Sequence, residues 1–75
     1  MKRAGVAQSF TQGVLVLRGT DPDPPSIGDS VVNDQLDRVG TVVDVFGPVE
    51  EPYLAVSPRD GVDPASVLGR RLYVR

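Results

Sequence analysis

The chain contains no cysteine, no histidine and no tryptophan, and Lys2 is its one lysine. A small protein held together by disulfides is therefore excluded, and so is a zinc site built from thiolates or imidazoles. The general bases and nucleophile pairs of most hydrolases are missing for the same reason. Stability must come from apolar packing, closure of a sheet or a partner, because one core of this size supplies only about 3–5 kcal/mol.

Long apolar stretches are also missing, since the longest uninterrupted aliphatic run is Val14 to Leu17. This run is too short for a transmembrane helix, and no apolar stretch of signal-peptide length follows the charged start Met1-Lys2-Arg3. The length of 75 residues corresponds to one domain, over residues 1–75. We expect a soluble, intracellular protein that acts in the cytoplasm and has no membrane partner.

The charge balance is mildly acidic, with ten acidic and eight basic residues and a formal net charge of −2. Eight of the acids are Asp and seven of the bases are Arg. Two explanations stay open: salt adaptation, since short carboxylates keep a protein hydrated in concentrated salt, and GC-rich codon usage. In either case the sequence lacks the dense Lys/Arg face of an autonomous RNA binder.

Helix signals are weak along the chain, because seven prolines and eight glycines interrupt every helical period. Valine dominates the apolar residues, and its β-branched side chain fits a strand better than a helix. A tight turn is predicted at 11–13 and an extended proline-rich loop at 19–28. The pattern predicts strands over 4–10, 14–18, 30–32, 35–46, 53–57 and 70–75, with a further apolar segment at 66–69.

Strict alternation within these segments predicts which side chains share a face. Gly40, inside the fourth strand, indicates a bend or bulge of the kind that curls a sheet. The expected shared faces are Val6, Gln8 and Phe10 in the first strand, and Val39, Thr41, Val43 and Val45 in the fourth. The valines expected to contribute to the core are Val14, Val16, Val43, Val45 and Val56.

Six or seven short strands without a covering helix would leave unpaired edges on both sides of an open sheet. Closure of the sheet into a ring removes those edges. The sequence therefore predicts an all-β fold, a small closed barrel that forms a single domain.

The acidic segments give no catalytic, cofactor or metal site. Asp21 and Asp23 are spaced like the start of a calcium loop, but Pro25 and Ser26 stand where that motif needs an oxygen ligand and a glycine. The adjacent acids at 50–51 fit a solvated turn, and no glycine-rich phosphate loop is present. We expect a protein that is not an enzyme and has no small-molecule substrate.

The aromatic residues allow an alternative function. Modules for single-stranded nucleic acid stack bases on aromatic rings inside a basic groove. A free-standing barrel could bind single-stranded RNA through Phe46, Tyr53 and Tyr73. The scarcity of bases argues against it, since Arg70-Arg71 is the one adjacent basic pair after the N-terminus.

Residues 44–53, Asp-Val-Phe-Gly-Pro-Val-Glu-Glu-Pro-Tyr, form the most unusual segment. Two prolines and one glycine stiffen a connection between two strand-like runs. One interpretation is a rigid arch that seals the barrel, and the other is a preorganised docking surface that loses little entropy on binding. The candidate partner-binding residues are Val45, Phe46, Gly47, Pro48, Val49, Pro52 and Tyr53.

This segment resembles the archaeal glycine-arginine-rich subunit of box H/ACA ribonucleoproteins, in the Gar/Naf family. The similarity extends to Gln12-Gly13, Gly28-Asp29 and the closing strand, so it covers essentially the whole chain. The residues that carry it are Gly40, Val42, Asp44, Val45, Phe46, Gly47, Pro48, Val49, Pro52 and Tyr53.

The resemblance implies a six-stranded barrel similar to domains of translation elongation factors and reductases. It also implies docking on a dyskerin-like pseudouridine synthase in rRNA pseudouridylation, with the H/ACA guide RNA reached only indirectly, through the particle. A paralogous assembly factor shares this core and is an alternative. The chain lacks the glycine-arginine-rich or lysine-rich tails of many relatives, which favours the mature subunit.

Overall fold

The computed structural model of the protein describes residues 2–19 and 23–75. Across these two ranges the structure has six strands and one 3₁₀ turn, Pro64–Val67. The strands are β1 (Lys2–Thr11), β2 (Val14–Arg18), β3 (Ser30–Val32), β4 (Arg38–Phe46), β5 (Tyr53–Pro58) and β6 (Arg71–Val74).

The strands close into an antiparallel barrel in the order β1-β2-β5-β4-β3-β6. β1 pairs with β2 on one side and with β6 on the other, so the first and last strands complete the ring. Closure leaves no strand of the described ring with a free edge. The predictions of an all-β fold and of a closed six-stranded barrel are confirmed.

Bulges in β4 change the alternation of its side chains. Its pairing with β3 passes from Arg38 to Gly40, and its pairing with β5 from Val42 to Asp44. Each step leaves one extra residue in β4, first Val39 and then Val43. The side chains that reach the core consequently recur at every third position, Val39, Val42 and Val45.

Only part of the predicted set of core valines lies in the core. Of the five valines expected in it, only Val56 is fully buried. The bulge turns Val43 outward, where it is 44% exposed, and Val45 is partly buried against the core. Val14 and Val16 are half-buried, because the alternate residues of β2 take the inner positions. The core residues are Ala4, Ala7, Leu15, Leu17, Val31, Val39, Val42, Leu54, Val56, Val67, Leu72 and Val74.

The predicted shared face of the first strand is also wrong. Val6 pairs with the exposed Arg18, whereas Phe10 pairs with the fully buried Leu15. Directly paired residues lie on the same side of a sheet, so these two β1 residues lie on opposite faces. The bulge at Gln8, between two regular stretches of pairing, produces the change.

Gly40 allows the close packing that its position in the strand predicted. A Cβ atom there would overlap the carbonyl oxygen of Ser57 in β5. Gly5 has the same role in β1, where a Cβ would overlap the carbonyl oxygen of Arg18 and φ is +138°. Both glycines lie next to bulges, where neighbouring backbones approach closely.

Two predicted segments differ from the structure by more than the one or two residues seen at the other strand ends. The fourth strand begins at Arg38 and not at residue 35, because the Asn33 side chain accepts hydrogen bonds from the backbone N–H groups of Gln35 and Asp37 and closes a turn. The segment at 66–69 belongs to the 3₁₀ turn and its exit and is not a strand, and Asp63 caps its start by accepting from the Ala65 N–H.

The proline-rich loop is seen only in part. Residues 20–22 lie outside the described ranges, and with them Asp21, the first position of the calcium-loop pattern considered above. Within the described residues, no helix is long and apolar enough to cross a membrane.

Candidate partner-docking site

The candidate segment, residues 45–53, joins β4 to β5 at one end of the barrel. Phe46 and Tyr53 form the last pair of the β4–β5 ladder, and residues 47–52 make the connection. The preceding pair, Val45 and Leu54, faces inward, because Leu54 is fully buried. Alternation therefore places the last pair on the outer surface.

The two aromatic rings of this last pair stack on each other. The ring centroids of Phe46 and Tyr53 are 5.7 Å apart and the ring planes are inclined by 21°. Such a pair contributes about 0.5–1.5 kcal/mol beyond its burial. Phe46 is nevertheless 44% exposed, so the stack still offers apolar surface to a partner.

Gly47 lets the chain turn beneath the aromatic stack. Its φ of +87° lies in the left-handed region. A Cβ atom at this position would come within 2.7 Å of Cδ2 of Tyr53. A larger residue would therefore strain the backbone and push against the ring.

Pro52 fixes the other end of the connection. Its ring is buried, and its carbonyl oxygen accepts a hydrogen bond from the Gly19 N–H at 2.9 Å. A Cβ atom on Gly19 would overlap that oxygen, so the contact requires glycine. The segment is thereby tied to the residue that follows β2.

An ion pair adds a second link to β2. Nη2 of Arg18 donates to Oε2 of Glu51 at 3.0 Å, and Arg18 lies opposite Tyr53 in the ladder. This hydrogen bond and the charge of Glu51 raise the pKa of the Arg18 guanidinium. Sequence reasoning missed both Arg18 and Gly19, because their partners lie more than thirty residues away and share no local pattern with them.

The seven predicted site residues divide between the surface and the interior. Val49 is 88% exposed, and Phe46, Gly47 and Pro48 are also exposed. Tyr53 is half-buried beneath its aromatic partner. Val45 and Pro52 face the protein and support the segment from within. The structure therefore brings the seven residues together, and the surface it presents is centred on the aromatic stack and Val49.

The third aromatic of the alternative RNA platform lies elsewhere. Tyr73 is on β6, which stands across the strand ring from β4 and β5. Phe46, Tyr53 and Tyr73 consequently do not form one stacking surface. The surface around Phe46 and Tyr53 also carries the carboxylates of Glu50 and Glu51, which repel phosphate.

The site offers binding surface and no group of metal ligands. Nowhere in residues 2–19 or 23–75 do three or more Asp, Glu, His or Cys side chains come together in a way that could hold a metal ion. The exposed Val49 and Phe46 give the site apolar surface, and Glu50 and Glu51 give it a charged rim, which is the chemistry of protein–protein contact.

Comparisons with known proteins identify a family whose model covers the whole chain. Residues 1–75 match the family model described as the Gar1/Naf1 RNA binding region. A relative from Chaetomium globosum, named H/ACA ribonucleoprotein complex subunit GAR1, is 27% identical over 64 residues. The match covers 84% of this chain and 30% of the relative, so the chain spans about a third of the length of that protein.

Proposed function

Because the chain belongs to the Gar1/Naf1 family, we propose that it is a non-catalytic subunit of an H/ACA ribonucleoprotein that docks on the pseudouridine synthase of the particle. In this role it assists guide-RNA-directed pseudouridylation of rRNA and so contributes to ribosome biogenesis. It acts by placing substrate RNA and aiding its turnover, and it contacts the guide RNA only through the particle. We propose the cytoplasm as its place of action.

The relative supports a subunit of the mature particle over the paralogous assembly factor. The family model covers both kinds of protein, but the relative carries the name of the H/ACA subunit. The Asp and Arg bias of the sequence supports the further proposal that the protein comes from a halophilic archaeon.

The observation that carries the docking proposal is Val49, which is 88% exposed within a connection that is fixed at both ends. The aromatic stack holds one end, and the hydrogen bond from Gly19 to Pro52 holds the other. An apolar side chain on a rigid backbone loses little conformational entropy when it binds. Such side chains are the usual anchors of protein interfaces.

Val49→Asp tests the docking proposal. The substitution should weaken binding to the synthase by about 2 kcal/mol or more, roughly 30-fold, if the side chain is buried in the contact. The free protein should stay folded, because the side chain contributes almost nothing to the core. Calorimetric titration against the synthase measures binding, and a thermal melting curve measures folding separately.

Ile27→Asp is the matched control. Ile27 is 65% exposed and lies in the loop before β3, so it receives the same change of chemistry away from the candidate segment. It should leave docking unchanged. Full-strength binding by a folded Val49→Asp protein, or equal losses in both variants, would remove the segment from the interface.

A further inference from the structure

The outer face of β1 and β6 carries a groove in which three arginines surround one tyrosine. In the ladder between these strands, Arg3 lies opposite Tyr73 and Val6 lies opposite Arg71. Arg3, Arg71 and Tyr73 line one cavity, and Arg70, Arg71 and Tyr73 line the next. The two cavities share Arg71 and Tyr73 and are together called here the β1–β6 groove.

The positive charges of the groove are available for an anion. Arg3, Arg70 and Arg71 are exposed. None of the three has an ion-pair partner in residues 2–19 or 23–75, where Lys2 and Arg18 make the ion pairs. Their charge is thus not neutralised within the described barrel, although the net charge of the chain is negative.

Tyr73 gives the groove a surface on which a base can stack. Its ring is half-buried and lines both cavities, between arginines of β1 and β6. Aromatic rings flanked by basic side chains are how proteins bind single-stranded nucleic acids, since bases stack on the ring and phosphates bind the cations. A bare phosphate needs no such ring, so the combination favours a nucleic-acid strand.

Asp34 limits the strength of this site. Its carboxylate lines the cavity that contains Arg70 and Arg71. A carboxylate beside a phosphate-binding arginine repels the ligand, and three arginines release few counterions. The groove therefore suits a weak contact that becomes effective when a partner holds the RNA nearby.

We propose that the β1–β6 groove is a contact site for single-stranded RNA, with Arg3, Arg70 and Arg71 on its phosphates and Tyr73 against a base. This site goes beyond the proposed docking role and is formed by residues on or next to β1 and β6, outside the docking segment. β1 and β6 stand opposite β4 and β5 in the ring of strands. The docking segment and the groove share no residue, although Val6 lines both the groove and the neighbouring cavity that contains Glu50 and Glu51.

The first measurement is fluorescence anisotropy of a labelled ten-nucleotide oligouridylate titrated with the full chain. Binding should be weak, with a Kd of about 1–100 µM near physiological salt, and should depend on salt with a slope of about −2 in log K against log salt for three phosphate contacts. A duplex of the same length should bind less tightly, because its bases are not free to stack.

Charge reversal locates the site. Arg71→Glu should weaken binding at least about fivefold and reduce the salt slope, since one phosphate contact is lost and repulsion is added. Arg59→Glu is the matched control, because Arg59 is exposed, follows β5 and does not line the groove. It carries the same change in net charge and should have a much smaller effect.

Two further variants test the contributions of the Asp34 carboxylate and of the Tyr73 ring separately. Asp34→Asn should tighten binding by removing a repulsive charge. Tyr73→Leu keeps the charges and should weaken binding at least about fivefold through lost stacking. Melting curves establish that each variant is folded.

The proposal is overturned by undetectable binding, by equal losses in Arg71→Glu and Arg59→Glu, or by duplex binding as tight as single-strand binding. Loss of binding in Phe46→Ala instead would place the RNA on the docking segment. Val49→Asp should leave RNA binding unchanged, and Arg71→Glu should leave docking unchanged, so failure of this site and failure of the docking proposal give different results.

Discussion

Val56 in β5 has no accessible surface and lies opposite Leu15 and Val42, whereas Val43 in β4 is 44% exposed. Val56→Ala should lower the free energy of unfolding by about 1–3 kcal/mol, because it leaves a cavity in a packed core. Val43→Ala should cost no more than about 0.5 kcal/mol, since a surface position has little packing to lose.

Urea unfolding followed by circular dichroism measures the free energy of unfolding of both variants. Because both replace valine by alanine, only the position of the side chain differs between them. Equal losses in the two variants would contradict the burial that the β4 bulge creates. A large loss in Val43→Ala alone would mean that strict alternation holds after all and that the strand has the face predicted from its sequence.

Gly47, in the connection between β4 and β5, has two roles: it adopts a left-handed backbone conformation and it leaves room for the aromatic stack. Experiment can separate the two effects on stability. Gly47→Ala should be more destabilising than Gly13→Ala, although both glycines have φ above +80°. Each substitution forces a side chain into the left-handed region, at about 1–2 kcal/mol. A Cβ at Gly13 meets open space, whereas one at Gly47 meets the ring of Tyr53.

Comparison of the two melting temperatures gives the cost of the ring contact alone. Gly47→Ala should also weaken docking, because the stack must shift, whereas Gly13→Ala should not. Equal melting temperatures and equal docking would show that the glycine serves only the turn.

Much of the element pattern follows from local sequence. Five of the six strands are predicted to within two residues at each end, since glycine and proline mark the turns at 11–13 and 47–52. The facing of side chains within β1 and β4 could not be predicted, because bulges arise from pairing with two different neighbours and leave no local signature. Gly40 indicates that a bulge lies near it, but it does not indicate which residue of β4 is the extra one.

The candidate site also has a part that could be predicted from sequence and a part that could not. The braced segment is contiguous, so its residues could be identified from sequence. The links from Arg18 and Gly19, and the pairing that brings Arg3 to Tyr73, depend on strands far apart in the chain. The adjacent pair Arg70-Arg71 is a signal for the groove, but its partner in β1 becomes visible only when the barrel closes.

At the scale of the whole molecule, the excess of carboxylates predicts a response to salt. If the acidic surface is an adaptation to salt, the melting temperature should rise as KCl increases from dilute buffer to molar concentration. Screening weakens repulsion among exposed carboxylates, since the Debye length falls to about 3 Å at 1 M.

Differential scanning calorimetry measures the melting temperature over this range of KCl. Sucrose at matched water activity is the control, because it favours the compact state without screening charge. A melting temperature that stays flat in KCl would leave codon usage as the better account of the Asp and Arg bias.

The ring is closed by β1 and β6, and this pairing has a consequence for the rate of folding. Lys2 and Val74 are paired although they lie roughly 70 positions apart, so the entropy of closing a long loop is lost before the pair can form. The hairpins β1–β2 and β4–β5 need no such closure. Stopped-flow refolding should therefore be slow for so short a chain, on the order of milliseconds to seconds. Leu54→Ala, in a local hairpin, should mainly slow refolding, and Val74→Ala, in the closing strand, should mainly speed unfolding.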